Sequence, residues 1–196
     1  MSRKSSINAW VTESSFNKFT NYQQAVDNYI VGSIFVSTAS ATVANTVAET
    51  SILWTGLGTL TLPANFFTIG KTLKFTLYGM IATLVTPTLR IKVKLGATVI
   101  IDTTAATLAT ITGTNLFFTE WMLTCRTTGA GGTVFGQGLA FYFTGITGLS
   151  GIASPTTATS AIDTTTTQVF DISVTWGTAS ASNTITSTNF VLNAMI

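Results

Sequence analysis

The chain has 196 residues, 46% of them hydrophobic and only 8% charged, with a formal net charge of +2. Soluble domains average about 25% charged residues, so a chain this apolar must enter a membrane or bury much of its surface against neighbours. Threonine and glycine interrupt every apolar run short of the roughly 20 residues a spanning helix needs, the net charge is too small to signal nucleic-acid binding, and a single cysteine, Cys125, excludes an internal disulfide.

The first residues, Met1 to Ser6, lead into polar sequence and no apolar core of a leader, so no secretory signal is expected. Residues 1–45 read as an N-terminal arm, part helical or extended. Arg3 and Lys4 precede Trp10, and Phe16, Phe19, Tyr22, Val26, Tyr29 and Ile30 then fall three or four apart, as on one stripe of a helix. Ser14 or Ser15 suits its N-cap. The stripe packs on its own domain or docks on a neighbouring subunit; in the second case Arg3, Lys4, Trp10, Phe16, Phe19 and Tyr22 are the docking residues. Val36 to Thr50, rich in threonine and small residues, reads as a connector.

Residues 46–196 read as one β domain. Ser51 to Thr55 and Thr59 to Leu62 are short predicted strands around a break at Gly56 and Gly58, and Pro63 to Gly70 is a turn with buried aromatics. In Lys71 to Leu84, Leu73, Phe75 and Leu77 oppose Thr72, Lys74 and Thr76. Thr88 to Gly96 alternates without a fault, Leu89, Ile91, Val93 and Leu95 against Arg90, Lys92 and Lys94, which is the pattern of a half-buried strand. Its charged face speaks against an outer-membrane barrel. Gly96-Ala97 links it as a tight hairpin to Thr98–Ile101. Asn115 to Thr128 places Trp121, Leu123 and Cys125 on one face. Thr133 to Thr144 sets Phe135, Leu139, Phe141 and Phe143 opposite Gly136, Gly138 and Ala140, whose small side chains admit a neighbour closely. A long polar loop is expected from Ser150 to Thr167, then strands Val169–Trp176 and Thr184–Leu192. The fold class is therefore all-β, a jelly-roll-like β-sandwich with an N-terminal arm, with an immunoglobulin-like sandwich as the alternative.

Chemistry has few carriers. Histidine is absent, which removes the commonest general base and metal ligand, and one cysteine cannot build a thiolate metal site. No cofactor or metal is expected. A paired-carboxylate glycosidase would need Glu120 beside Asp102 or Asp171; the simpler expectation is cross-strand pairing of these acids with Lys74, Arg90, Lys92, Lys94 and Arg126. The row Arg90, Lys92, Lys94 could meet an anionic partner, or be a solvated face. Trp10, Trp54, Trp121 and Trp176 could stack sugars, but three of them sit at positions that read as core-facing.

Several stretches resemble jelly-roll structural proteins of tailed bacteriophages: Thr61 to Phe67 with Gly70-Lys71, Thr86 to Gly96, Thr128 to Val134 and Val174 to Ile185. The resemblance spans roughly residues 46–192, rests on turns and strand faces, and carries over no catalytic residues. It implies a virion protein that decorates or cements the head, or forms fibres, commonly as a homotrimer. The expected function is non-enzymatic: a capsid decoration or cement protein that binds itself and the major capsid protein, with no nucleic-acid or membrane partner. The alternative is a fibre or receptor-binding module recognising host glycans.

Overall fold

The structure, a computed structural model, describes residues 32–84, 86–153 and 158–195. The helical stripe and the docking residues Arg3, Lys4, Trp10, Phe16, Phe19 and Tyr22 lie outside the described residues. The described chain is all-β, with fifteen strands in two antiparallel sheets. Across the larger sheet run β12 (Leu149–Ala153), β11 (Gly132–Phe143), β10 (Ile111–Thr127), β6 (Thr72–Thr83), β15 (Thr184–Met195), β1 (Gly32–Ser37) and β4 (Gly56–Gly58). Two short strands join it at the flanks, β13 (Ser160–Ile162) on β11 and β2 (Ala41–Ala44) on β15. The smaller sheet runs β3 (Thr50–Ser51), β14 (Gln168–Trp176), β7 (Thr88–Leu95) and β8 (Thr98–Asp102), with β5 (Thr61–Leu62) on β14 and β9 (Ala106–Thr107) on β7.

The sheets pack face to face as a sandwich. The chain crosses repeatedly between them, so that its early and late strands run side by side: β1 and β2 pair with β15, and β3 and β5 with β14. Period-two alternation decides what lies between the layers. Leu89, Ile91, Val93 and Leu95 of β7 are buried and the residues between them half-buried. Phe75 of β6 meets Phe170 of β14 edge-on at 4.9 Å, and Phe190 of β15 stacks on Phe170 at 6.0 Å. Trp121 and Trp176 are fully enclosed, and the Trp176 indole donates to the Val43 carbonyl at 3.3 Å.

Several expectations need correction. Val36 to Thr50 is not a plain connector: β1 ends within it, β2 lies in it, and both sit in the larger sheet, which therefore takes in residues 32–44. Small residues and threonine suit a short strand laid along a partner as well as they suit a loop. The Ser51–Thr55 strand shrinks to β3; Ile52 still donates to the Ile172 carbonyl, but Trp54 turns outward and is 63% exposed. Gly56 to Gly58 forms the edge strand β4 where a break was expected. The polar loop from Ser150 to Thr167 contains most of β12 and all of β13.

In β11 the small residues face inward. A Cβ on Gly136 would meet Leu123 and the Ile100 and Ile101 side chains of β8 at 2.5–2.9 Å. The opposing sheet fills that space, so Phe135, Leu139, Phe141 and Phe143 turn out, while Val134 and Tyr142 share the inner face with Gly136 and Ala140. Gly79, in central strand β6, is still more constrained: its Cβ would fall 2.0 Å from the Thr186 carbonyl oxygen of β15. Backbone cannot move aside as a flexible side chain can. Gly79→Ala should therefore destabilise the fold by about 2 kcal/mol. Gly131→Ala, with no atom near the added methyl, should shift stability by under about 0.5 kcal/mol. Urea denaturation of the two variants checks the contrast.

Candidate interaction face

The outer surfaces of the two sheets differ in chemistry. On the smaller sheet, Arg90, Lys92 and Lys94 project from β7 and each meets a carboxylate. Arg90 forms a two-pronged pair with Asp102, its Nε at 2.8 Å. Lys92 and Lys94 converge on Glu49 at 2.6 and 2.8 Å, and Lys94 also reaches Asp171 at 3.2 Å. Ser173 donates to Glu49 at 2.8 Å and Ser51 to Asp171 at 2.6 Å. Glu49 lies in the segment joining β2 to β3, so this network ties that segment across β7 and β14. Hydrogen bonds from Lys92, then Lys94 and Ser173, hold the Glu49 carboxyl at about 2, well below its ordinary 4.5. Arg90 likewise lowers Asp102. The cationic row is therefore neutralised on its own sheet, and it offers an anionic partner little unpaired charge.

The acids do not form a catalytic pair. Glu120 lies on the outer face of the larger sheet, bound to Lys74 at 3.1 Å, while Asp102 and Asp171 belong to the smaller sheet and are bound to its cations. Cross-strand pairing accounts for Lys74, Arg90 and Lys94, whereas Lys92 pairs with Glu49 of the segment between β2 and β3. Arg126 instead lies over the Phe135 ring, 5.6 Å from its centre. Of the tryptophans expected inside, Trp121 and Trp176 are, and Trp54 is not.

The outer face of β6, β10, β11 and β12 is apolar. Registers align its side chains in rows across the strands. Tyr78, Phe118 and Phe141 stand opposite one another on β6, β10 and β11, and Gly151 of β12 completes the row. Tyr78 and Phe118 rings are 4.8 Å apart, and the Phe141 ring lies over Gly151. The next row holds Thr76, Glu120 and Leu139, and the one beyond it Lys74, Met122 and Gln137. Tyr78, Leu116, Met122 and Leu139 are each between 42% and 49% exposed, and Leu149 reaches 60%. Two shallow grooves, of about 520 and 360 Å³, are cut into this face and share Met122, Gln137, Gly138 and Leu139 as the rise between them. Phe135 and Arg126 line one, Phe118 and Phe141 the other. Toward β15 the face is mixed: Thr186, Asn189 and Asn193 share it with Val191, which stands opposite Val36 of β1 and, beyond it, Leu57 of β4.

An apolar surface spread over several strands marks a contact site more often than chance exposure does. Its signal was present in the sequence. Phe135, Leu139, Phe141 and Phe143 share one side of β11, and Leu116, Phe118 and Met122 share the outer side of β10. Only the register shows that these two sets join, and only the packing of Gly136 against β8 shows that they face out.

The ion-pair network yields a pH prediction. A carboxyl lowered in the folded state adds stability above its unfolded pKa and loses it as pH falls through the folded value. Glu49→Gln should cost about 1 kcal/mol at pH 7. Its difference from the parent should shrink as pH falls from the ordinary carboxylate value of 4.5 toward about 2, read as urea midpoints across that range.

No family model, curated protein or solved structure matches this chain, so its function is read from its residues and their arrangement.

Proposed function

We propose that the chain is a non-enzymatic virion structural subunit, a decoration or cement protein that stabilises a phage head. The observation that carries this reading is the apolar outer face of β10, β11 and β12 on a chain with 8% charged residues. A sheet of long, mutually paired strands is a stiff platform, and a stiff platform loses little conformational freedom on docking. Apolar area removed from water contributes about 25 cal/mol per Å², and a shell-bound subunit repeats that gain at every site it occupies. The resemblance of residues 46–192 to phage jelly-roll structural proteins points the same way, and the major capsid protein is the partner it implies.

A second reading, a fibre or receptor-binding module for host glycans, draws on the exposed Trp54 indole, since an open ring of that kind can stack on a sugar. Binding on a glycan array that Trp54→Ala abolishes would favour it over the decoration reading.

In the decoration reading, the segment before β1, residues 1–31, supplies the clamp on the shell, with Arg3, Lys4, Trp10, Phe16, Phe19 and Tyr22 as contacts. Because β1 begins at Gly32, the informative truncation removes residues 1–31 and leaves the sheet whole. The shortened protein should keep its β-type circular dichroism and its thermal transition, yet fail to co-sediment with empty capsids. Full occupancy of capsids by the shortened protein would refute the clamp.

A further inference from the structure

We infer that the groove over β10 and β11 at Arg126, Phe135 and Gln137 is a binding site for a sugar that bears a carboxylate, a uronic or sialic acid residue of a glycan. This deepens the glycan-recognising reading and rests on it, but it assigns the acidic sugar to the outer face of the larger sheet and not to Trp54. Charge, lining and size each narrow the ligand.

Charge calls for an anion. Among the described residues, Lys74, Arg90, Lys92 and Lys94 each meet a carboxylate, whereas Arg126 meets none and the exposed Gln137 amide makes no hydrogen bond. Glu120 lines the adjoining groove, but Lys74 already holds it at 3.1 Å. Arg126 lies over the Phe135 ring, 5.6 Å from its centre. That loose contact steadies the guanidinium and leaves its N–H fork open. A planar fork takes a carboxylate through two parallel hydrogen bonds. A nucleic acid would need a row of uncompensated cations, and this groove offers one, which fits a ligand with a single anionic group.

The lining calls for a sugar. A pyranose ring has apolar C–H faces and a rim of hydroxyls. The groove repeats that division: Met122, Phe135 and Leu139 supply apolar surface, and Thr124, Arg126 and Gln137 supply hydrogen-bonding groups. Apolar walls with a few convergent polar groups are what small-ligand sites use to hold and orient a molecule.

Size sets the length. The groove, at about 520 Å³, falls within the range of about 300–1,000 Å³ that small-ligand sites occupy. It shares Met122, Gln137, Gly138 and Leu139 with the adjoining groove of about 360 Å³, which Phe118 and Phe141 line. Phe135 and Phe141 lie on one face of β11, about 20 Å apart at about 3.4 Å per residue. A short oligosaccharide can therefore set its acidic residue against Arg126 and lay its next rings toward the Phe118 and Phe141 aromatics, where ring faces favour stacking.

The test is a glycan array probed with the full chain, carrying uronate- and sialic-acid-bearing oligosaccharides beside neutral counterparts that lack only the carboxylate, with hits titrated by calorimetry. The chain should bind a carboxylated member and not its neutral counterpart. Arg126→Gln should weaken that binding by about tenfold or more, the loss of a charge-assisted hydrogen bond. Arg126→Lys should recover only part of it, because the charge returns without the fork. Gln137→Ala should weaken it by about threefold. All three changes fall at exposed positions and should leave circular dichroism and melting temperature unchanged; if one variant misfolds, the others decide. Binding to no carboxylated glycan, equal binding to the neutral counterpart, or full affinity in Arg126→Gln overturns the inference. Glycan binding that Trp54→Ala abolishes and Arg126→Gln leaves intact keeps the glycan reading and refutes this site, whereas a chain that binds no glycan refutes both.

Discussion

The contact on which the structure depends is the meeting of Phe75, Phe170 and Phe190 between the two sheets. These rings come from β6, β14 and β15, strands central to their sheets, and they lock the layers at one spacing. Aromatic pairs of this kind add about 0.5–1.5 kcal/mol beyond the area they bury. More consequential is the positional constraint. Once the rings are inside, alternation sets the side chains around them, on β15 as far as the bulge between Ser187 and Asn189, and hydrogen-bonded register passes the decision to their neighbours. The chemistry of the two outer surfaces is thus settled from the centre outward.

Those surfaces handle the shortage of charge in opposite ways. The smaller sheet gathers Arg90, Lys92 and Lys94 and neutralises them with Asp102, Glu49 and Asp171, so most of its polarity is spent within the fold. The larger sheet keeps only Lys74, Glu120 and Arg126 around a field of aromatic and aliphatic groups. Concentrating most ion pairs on one side leaves the other largely apolar, interrupted by the Lys74–Glu120 pair and Arg126.

Much of the fold was legible because long strands alternate. Lys71 to Leu84, Thr88 to Leu95, Asn115 to Thr128 and Val169 to Trp176 all announced their buried faces through residue type, and the structure buries Leu73, Ile91, Trp121 and Phe170 accordingly. Short strands were not legible. β2, β4 and β13 hold three or four residues each, too few for a period to show, and each exists because a longer partner offers it hydrogen bonds. The interaction face fell between these cases. Its residues were visible as apolar sets on β10 and β11, but whether such a set points in or out depends on the opposing sheet, here on Ile100 and Ile101 pressing against Gly136. The ion pairs were readable as residue types, whereas the convergence of Lys92 and Lys94 on Glu49 joins positions too far apart in the chain for spacing to reveal.

The placing of β15 between β6 and β1 has a temporal consequence. During synthesis β1 and β2 emerge long before β15, which must separate them from β6, so the larger sheet stays divided until β15 has left the ribosome. Loops of that length close slowly. Meanwhile β10 and β11, joined by a tight turn, can pair at once and display their greasy outer side on an unfinished molecule. Such a chain gains from crowding partners being kept away until its last strand slots home, which makes holding factors, dilute expression or low temperature the natural allies of its production.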